Sequence, residues 1–341
     1  MKSDLISRRN FVRKTTLTTG LVAIAPAGLM AGDASEISTG NEVWIAGVSQ
    51  NGLRTKTADL MCERVLGILK DVVAYEPDFV CLPEIFPFTY IDQKLTLAEQ
   101  VEVSEKVLEQ FAEFSRQKNC YTVCPVYTKE NGAVYNSAVV FNREGKKIGQ
   151  YNKIHPTDGE IESGISVGAL YQPVIQTDFG PAGIQICFDI NWDDGWKMLR
   201  EQGAGIIFWP SAYGGGITVN TRAWRHKTVV ATSTNKHTSK LCDITGETIT
   251  QTGYWNQNLY CGPVNLEKVF LASWPNVYRF KDVQNKYGRK IRITTFHEEE
   301  WSIIESLSPD LRVSDILKEF EFKTYEEEIA SAGIIQNNAR K

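Results

Sequence analysis

The sequence predicts an α/β protein built on a layered, partly antiparallel sheet, and three observations lead to that class. From residue 42 onward, short β-rich runs alternate with stretches whose apolar residues recur at helical spacing. Two of the runs flank a turn and read as a β-hairpin, which makes the sheet partly antiparallel. No period of repetition and no low-complexity block interrupts the alternation.

In chain order, residues 42–49 (EVWIAGVS) form a β-rich first strand. Across 57–75, Leu60, Val65, Leu66, Ile68, Leu69 and Val72 fall on or near one helical face. DFVCL at 78–82 is a short apolar strand that ends at Pro83. Residues 97–118 form a second amphipathic helix, followed by a strand at 121–127. The hairpin arms are 133–141 and 147–151, around turn residues 142–145. Strands at 174–177, 183–189 and 205–210, helices at 193–202 and 221–230, and short runs at 240–243, 249–251 and 262–265 complete the core. A β-α-β-α order with hairpins mixed in belongs to a layered α/β protein. From Tyr278 the chain becomes more charged, and an apolar run at 303–307 and a helical stretch at 313–320 predict a tail packed outside the core. The economical organisation is one domain, 42–277, with a C-terminal arm, 278–341, that packs on the core or on a partner subunit.

The 341 residues carry 37 Lys+Arg against 41 Asp+Glu, a formal charge of −4, with 42% apolar and 23% charged residues. Those values describe a globular chain and argue against a nucleic-acid binder, which needs clustered basic residues. Residues 1–34 differ in composition from the rest of the chain. A polar, basic start containing Arg8–Arg9 precedes an apolar stretch with Thr18, Thr19, Gly20 and Pro26, and small residues lead to cleavage points after Ala27, Ala31 or Ala34. These are the parts of an export signal of the twin-arginine type, which places the mature chain in the periplasm or outside the cell, with an uncleaved tether as the alternative. The stretch is too short and too mild for a membrane span, and nothing later in the chain could form one. Seven cysteines are an odd number, so at least one thiol stays unpaired within a monomer.

Three segments carry chemistry. In Leu82-Pro83-Glu84-Ile85-Phe86 a carboxylate follows an apolar strand, where α/β folds place their sites, and apolar neighbours suit it to act as a general base. In Tyr151-Asn152-Lys153-Ile154-His155-Pro156 a lysine closes a strand, where a fixed cation can stabilise an oxyanion. In Gly183-Ile184-Gln185-Ile186-Cys187-Phe188-Asp189 a cysteine stands where a strand runs into a helix. Backbone N–H groups there are expected to lower the thiol pKa. Each segment alone has an ordinary structural explanation; the ordered set is far more specific.

That set resembles the nitrilase superfamily of carbon–nitrogen hydrolases, over roughly residues 42–266. Phe208-Trp209-Pro210-Ser211-Ala212-Tyr213 and Arg222-Ala223 belong to the same resemblance. The resemblance implies a four-layer α-β-β-α sandwich with a C-terminal extension. It also implies a Glu-Lys-Cys triad of Glu84, Lys153 and Cys187, with the backbone of Phe188 contributing to the oxyanion site. The nitrilase-branch pattern Lys-x-x-Pro-Thr-x-x-Glu matches Lys153, Pro156, Thr157 and Glu160 and implies a second site glutamate at Glu160, with Glu162 as the alternative. Phe88, Trp192, Trp209 and Tyr213 lie near the motifs as candidate pocket residues.

The implied chemistry is cleavage of a small-molecule amide through a cysteine thioester, with no metal and no organic cofactor. Phe188-Asp189 looks like the amidase branches, whereas the Lys-x-x-Pro-Thr-x-x-Glu segment leans to nitrilases. The order of expectation is therefore amidase, then nitrilase, then N-carbamoyl hydrolase. A Cys-His hydrolase using His155, His226, His237 or His297, and an inactive secreted scaffold, are the competing readings. A homodimer or larger homo-oligomer is expected, with the C-terminal arm crossing to the partner.

Overall fold

The computed structural model describes residues 41–340, so the predicted export segment, 1–34, lies outside the described residues. Two six-stranded sheets form the body. The first has the order β12 (Leu259–Asn265), β1 (Glu42–Val48), β2 (Phe79–Cys81), β3 (Tyr121–Glu130), β4 (Ala133–Phe141), β5 (Lys147–Asn152). The second has the order β11 (Thr248–Gln251), β10 (Lys240–Cys242), β9 (Val229–Thr234), β8 (Ile206–Ser211), β7 (Gly180–Ile184), β6 (Ile175–Thr177). In each sheet three central strands run parallel, β1-β2-β3 and β7-β8-β9, and the flanking strands pair antiparallel.

The alternation within the strands explains how the sheets stack. Ile45, Phe79, Val123 and Ala138 of the first sheet meet Ile184, Phe208, Ala231 and Leu241 of the second in one buried cluster. Across it the Phe79 and Phe208 rings lie 5.2 Å apart. The opposite face of the first sheet is covered by α1 (Ala58–Ile68) and α2 (Leu97–Lys118), through Met61, Val65 and Phe111. A single-turn helix, α3 (Asp158–Glu162), follows β5. The outer face of the second sheet is covered by α4 (Asp194–Glu201) and α5 (Gly216–His226), through Trp196, Leu199, Val219 and Ala223. The layers are α-β-β-α, as expected. Each helix hides one apolar stripe and each sheet hides both faces.

The last part of the chain builds a third sheet, β13 (Lys268–Ala272), β15 (Trp301–Ser306), β14 (Ile291–Phe296), with α6 (Val277–Tyr287), α7 (Val313–Phe320) and α8 (Tyr325–Ala339). Leu271, Phe280, Val283, Ile304, Ile316 and Phe320 form its own cluster, while Phe270 and Ile303 join the cluster between the main sheets. Arg200 and Glu326 pair at 2.9 Å across the junction. Among the described residues no helix is long and apolar enough to cross a membrane.

Three boundaries differ from expectation. The strand expected over 183–189 stops at Ile184, and Cys187–Asn191 is a 3-10 turn. The helix expected over 221–230 begins at Gly216 and ends at His226, because Lys227 caps it in the left-handed region (φ 49°). The β-branched pair Val229–Val230 then opens β9. The apolar run near Ile303 is the central strand of the third sheet, paired on both sides.

Candidate active site

The site is built where parallel strands end, the position at which open α/β sheets expose backbone and side chains to a crevice. Glu84 comes three residues after β2 and is 3% exposed. The next residue, Ile85, has φ 40°, a left-handed conformation that costs a β-branched side chain free energy. Gln50 Nε2 holds this turn by donating to the Phe86 carbonyl at 2.9 Å. Lys153 follows β5 directly and is 1% exposed. Its N–H donates to the Asn136 carbonyl at 2.9 Å, and its carbonyl accepts from the Gly168 N–H at 2.9 Å. Position 168 has to be glycine, since a Cβ there would collide with the Asn152 carbonyl.

The side chains of these two segments meet. Lys153 Nζ donates to Glu84 Oε1 at 2.8 Å and to Glu160 Oε2 at 2.7 Å. Glu160 is held in place by local helix chemistry. Thr157 caps α3, and Glu160 at the third helical position accepts from the Thr157 N–H at 2.8 Å. Glu162 is exposed, two residues further along the same turn, so Glu160 is the glutamate brought to the lysine. Asn136, in the middle of β4 and fully buried, donates through Nδ2 to Glu84 Oε1 and to Glu160 Oε1, each at 2.8 Å. Sequence reasoning missed Asn136. Its signal was one amide in the apolar stretch of AVYNSAVVF.

Burial of the Lys153 amine disfavours its charged form, but Glu84, Cys187 and Glu160 outweigh this and hold it above the ordinary lysine range. Burial likewise opposes ionisation of Glu160, yet Lys153, Asn136 and the Thr157 amide hold its carboxyl below the usual range. One ammonium therefore serves two carboxylates. Glu84 Oε2 has no hydrogen-bond partner among the described residues, which leaves a buried acceptor oxygen unengaged.

Cys187 stands at φ 48°, 7% exposed, two residues beyond a buried Gln185. Burial, reinforced by the Glu84 carboxylate, pushes its thiol up to about 12, while Lys153 and hydrogen bonds from Ser211 and the Ala212 amide pull the other way. This corrects the expected lowering: the segment after Cys187 is a five-residue 3-10 turn, and desolvation dominates. That direction favours the protonated form of the group. All seven cysteines are buried, free and raised in the same sense, so acidity does not single out Cys187; its carboxylate and ammonium neighbours do.

The turn bearing the sulfur is tied down by Asp189, which is fully buried. Its Oδ1 accepts from the His155 N–H at 2.7 Å, and its Oδ2 accepts from the Ile186 N–H and the Tyr151 hydroxyl, both at 2.8 Å. Trp209 Nε1 donates to the Cys187 carbonyl at 3.1 Å. Trp209 was expected to line a pocket; it is fully buried in the outer cluster and supports the turn from below. Phe188 is half-buried and edge-on to Trp192, which is 38% exposed and stacks on His155 at 4.0 Å. Phe88 stacks on Tyr127 at 5.7 Å. Burial, then the charges of Glu160 and Glu84, push the Tyr127 hydroxyl up, which places an aromatic not foreseen from sequence beside the carboxylates. Tyr213 is half-buried, and burial, then Cys187 and Glu84, push its hydroxyl up while Lys153 opposes them. The histidines are engaged elsewhere or exposed: His155 with Asp189 at 3.0 Å, His226 with Asp193 at 3.0 Å, and His237 and His297 at the surface. Among the described residues no three His, Cys, Asp or Glu side chains cluster as metal ligands would.

Comparison with known proteins shows the family and the fold. A deaminated glutathione amidase from Synechocystis sp. is 28% identical over 151 residues, which cover 40% of this chain and 54% of that protein. The chain thus spans about half the length of that curated relative. A carbon-nitrogen hydrolase from Helicobacter pylori G27 superposes with a TM-score of 0.59 at 17% identity, over 73% of this chain and 94% of that one. An amidase from Nesterenkonia sp. AN1, carrying the acetamide moiety of fluoroacetamide covalently on its active-site cysteine, superposes with a TM-score of 0.57 at 15% identity, over 67% and 92%. These two superpositions establish a shared fold. Residues 45–272, which hold the Glu84, Lys153 and Cys187 segments and most of both large sheets, match the carbon-nitrogen hydrolase model, and the chain belongs to that family.

Proposed function

We propose that the protein hydrolyses the carbon–nitrogen bond of a small-molecule amide, using Cys187 as nucleophile, Glu84 as general base and acid, and Lys153 as the cation that stabilises the oxyanion. The observation that carries this reading is a buried cysteine beside a buried carboxylate that has one unengaged oxygen, in surroundings that oppose ionisation of the thiol. A thiol this weakly acidic needs a base at the moment of attack.

Every step is assigned to this chain's own groups. Glu84 takes the Cys187 proton as sulfur bonds to the amide carbon, and the carbonyl electron pair moves onto oxygen. Lys153 and the Phe188 N–H receive that charge; one such donor is worth about 10²–10³ in rate. The carbon–nitrogen bond then breaks, nitrogen takes the proton from Glu84, and ammonia or an amine leaves a thioester on Cys187. Water attacks the thioester while Glu84 takes its proton, the carbon–sulfur bond breaks, and the proton returns to sulfur. The sum is amide plus water giving acid plus amine. Glu160 and Asn136 act through the others, by holding Lys153 and Glu84 in place.

The reading also carries export by the twin-arginine route, on Arg8–Arg9, and assembly into a homodimer or larger homo-oligomer. Light scattering of the purified mature chain tests the assembly, and a monomer would remove it. For the chemistry, the test is ammonia release from a panel of amides, nitriles and N-carbamoyl compounds. Amides are expected to turn over fastest, and Cys187→Ala is expected to abolish turnover with unchanged circular dichroism. Full activity in that variant would overturn the assignment, and faster turnover of nitriles would move the substrate class.

A further inference from the structure

Tyr127 stands in the same cross-strand row as Asn136 and Lys153. On β3 it pairs directly with Asn136 of β4, and on the other side of Asn136 the Lys153 N–H bonds the Asn136 carbonyl at 2.9 Å. Directly opposed residues of an antiparallel pair project from the same face, with Cβ atoms about 4.5–5.5 Å apart. The alternation along β3 agrees: Tyr121 and Val123 join the cluster between the large sheets, whereas Cys124 and Val126 join the one under the helices. The Tyr127 ring therefore leaves the sheet on the face where Asn136 holds Glu84 and Glu160. Phe88, which follows Glu84 closely in the chain, stacks on that ring with the planes 20° apart.

The hydroxyl at the end of the Tyr127 ring is left unclaimed by the protein. The buried phenols of the two large sheets all find partners: Tyr151 donates to Asp189 at 2.8 Å, Tyr260 donates to the Thr232 carbonyl at 3.0 Å, and Tyr121 accepts from the Asp178 N–H at 3.1 Å. A hydroxyl taken out of water needs such a partner. Tyr127 is half-buried, and among the described residues its hydroxyl makes no hydrogen bond. Burial and the two carboxylates hold its pKa above the ordinary phenol value, so it stays protonated. A neutral phenol oxygen can accept as well as donate.

The two large sheets divide the chemistry between them. Glu84, Asn136, Lys153 and Tyr127 come from the first sheet; Cys187, just beyond β7, and Tyr213, just beyond β8, come from the second. The charges felt by the two phenols follow that division. After burial, Cys187 acts most on Tyr213, whereas Glu160, Glu84 and Lys153 act on Tyr127. In the proposed reaction the nitrogen leaves with a proton from Glu84, and water later gives a proton to Glu84. Both therefore pass on the first-sheet side of the acyl carbon, the side that Tyr127 lines.

We infer that the Tyr127 hydroxyl is a further catalytic group, which hydrogen-bonds the departing nitrogen and then the attacking water. Its oxygen accepts one N–H of the amide while Glu84 protonates the nitrogen. During thioester hydrolysis it accepts one O–H of the water while Glu84 takes the other proton. Tyr127 keeps its own proton throughout. The inference rests on the hydrolase reading above and adds a group that the Glu-Lys-Cys set does not contain.

Tyr127→Phe tests it, because that variant keeps the ring on Phe88 and deletes one oxygen. With the best amide of the panel, kcat is expected to fall about tenfold, the size of one hydrogen bond made at the transition state. The second readout adds hydroxylamine, which competes with water for the thioester, and measures hydroxamate against acid. Hydroxylamine is strongly nucleophilic at neutral pH without a base, so loss of the group that holds water should raise the hydroxamate-to-acid ratio about threefold or more. A merely structural Tyr127 would slow both products alike and leave the ratio where it was. A ratio that does not rise, or a kcat within about twofold of the wild type, overturns the inference and leaves the hydrolase reading standing. No ammonia released from any amide by the wild type would sink the hydrolase reading itself, and the inference with it.

Discussion

Asn136 donates its side-chain amide to Oε1 of Glu84 at 2.8 Å, and the same amide reaches Oε1 of Glu160 at 2.8 Å. It bridges the two carboxylates that also share Lys153 and keeps them at fixed positions around one ammonium. Asn136→Ala removes both hydrogen bonds and leaves the buried Glu84 and the half-buried Glu160 to repel. The expected result is a kcat lowered by about 10–100-fold with KM little changed, together with a lower melting temperature. Steady-state kinetics and thermal unfolding check it. An unchanged kcat would remove Asn136 from the site.

Glu160 and Glu162 share one short helical turn, yet only Glu160 reaches Lys153. Glu160→Gln keeps the shape of the helix cap but removes one of the two charges that hold the lysine ionised. A loss of about 10²-fold in kcat is expected, by analogy with removing one electrostatic donor from an oxyanion site. Glu162→Gln is expected to stay within about twofold, as surface substitutions do. Equal losses in the two variants would contradict the placement.

The thiol of Cys187, at about 12, predicts no thiolate at working pH. The difference in absorbance at 240 nm between wild type and Cys187→Ala should stay flat until above about pH 10. A thiolate signal at pH 7 would show that the free protein holds an ion pair and would make Glu84 unnecessary as a base.

Stability should follow pH in a matching way. Glu160 has a lowered folded pKa, so its contribution is present above the unfolded carboxyl value of about 4.3 and is lost as pH falls through the folded value. Lys153 has a raised folded pKa, so its contribution is full below about 10.4 and is lost as pH rises through the folded value. The raised thiols add an earlier alkaline loss from about 8.5, where unfolded cysteines begin to ionise. Urea midpoints across roughly pH 4–10 should form a plateau bounded on both sides. Midpoints that still rise above about pH 9 would contradict these signs.

Much of this was legible in the residues, for identifiable reasons. The strand at β1, the long helix α2 and the hairpin of β4 and β5 carry strong local periodicity and turn chemistry, and they formed where expected. Glu84, Lys153 and Cys187 each sit at a strand end or just beyond one, and those ends are marked by Pro83, by the Pro156 loop and by the Cys-Phe-Asp turn. The strand β9 was hidden because Val229 and Val230 continue the apolar spacing of α5; the left-handed conformation at Lys227, which separates the two, has no strong residue preference in its favour. Asn136 was hidden because a single polar residue in a strand usually faces solvent, and only tertiary packing turns it inward. The thiol pKa was misjudged because a turn can be read from sequence, whereas the burial that outweighs it cannot.

Trp209 tests the support beneath the sulfur. Trp209→Phe keeps an aromatic ring in the outer cluster but removes the hydrogen bond to the Cys187 carbonyl. The turn then loses about 1 kcal/mol of restraint, and kcat is expected to fall roughly tenfold or more. Kinetics alongside urea unfolding separate the two effects. A loss confined to stability would assign Trp209 to packing alone.

The central claim is a covalent one, and acid quenching during turnover of the best amide, followed by intact-mass measurement and peptide mapping, tests it most directly. A mass gain equal to the acyl group is expected, located on the peptide containing Cys187 and absent from Cys187→Ala. An acyl group found on any other residue, or none at all while turnover is rapid, would contradict it.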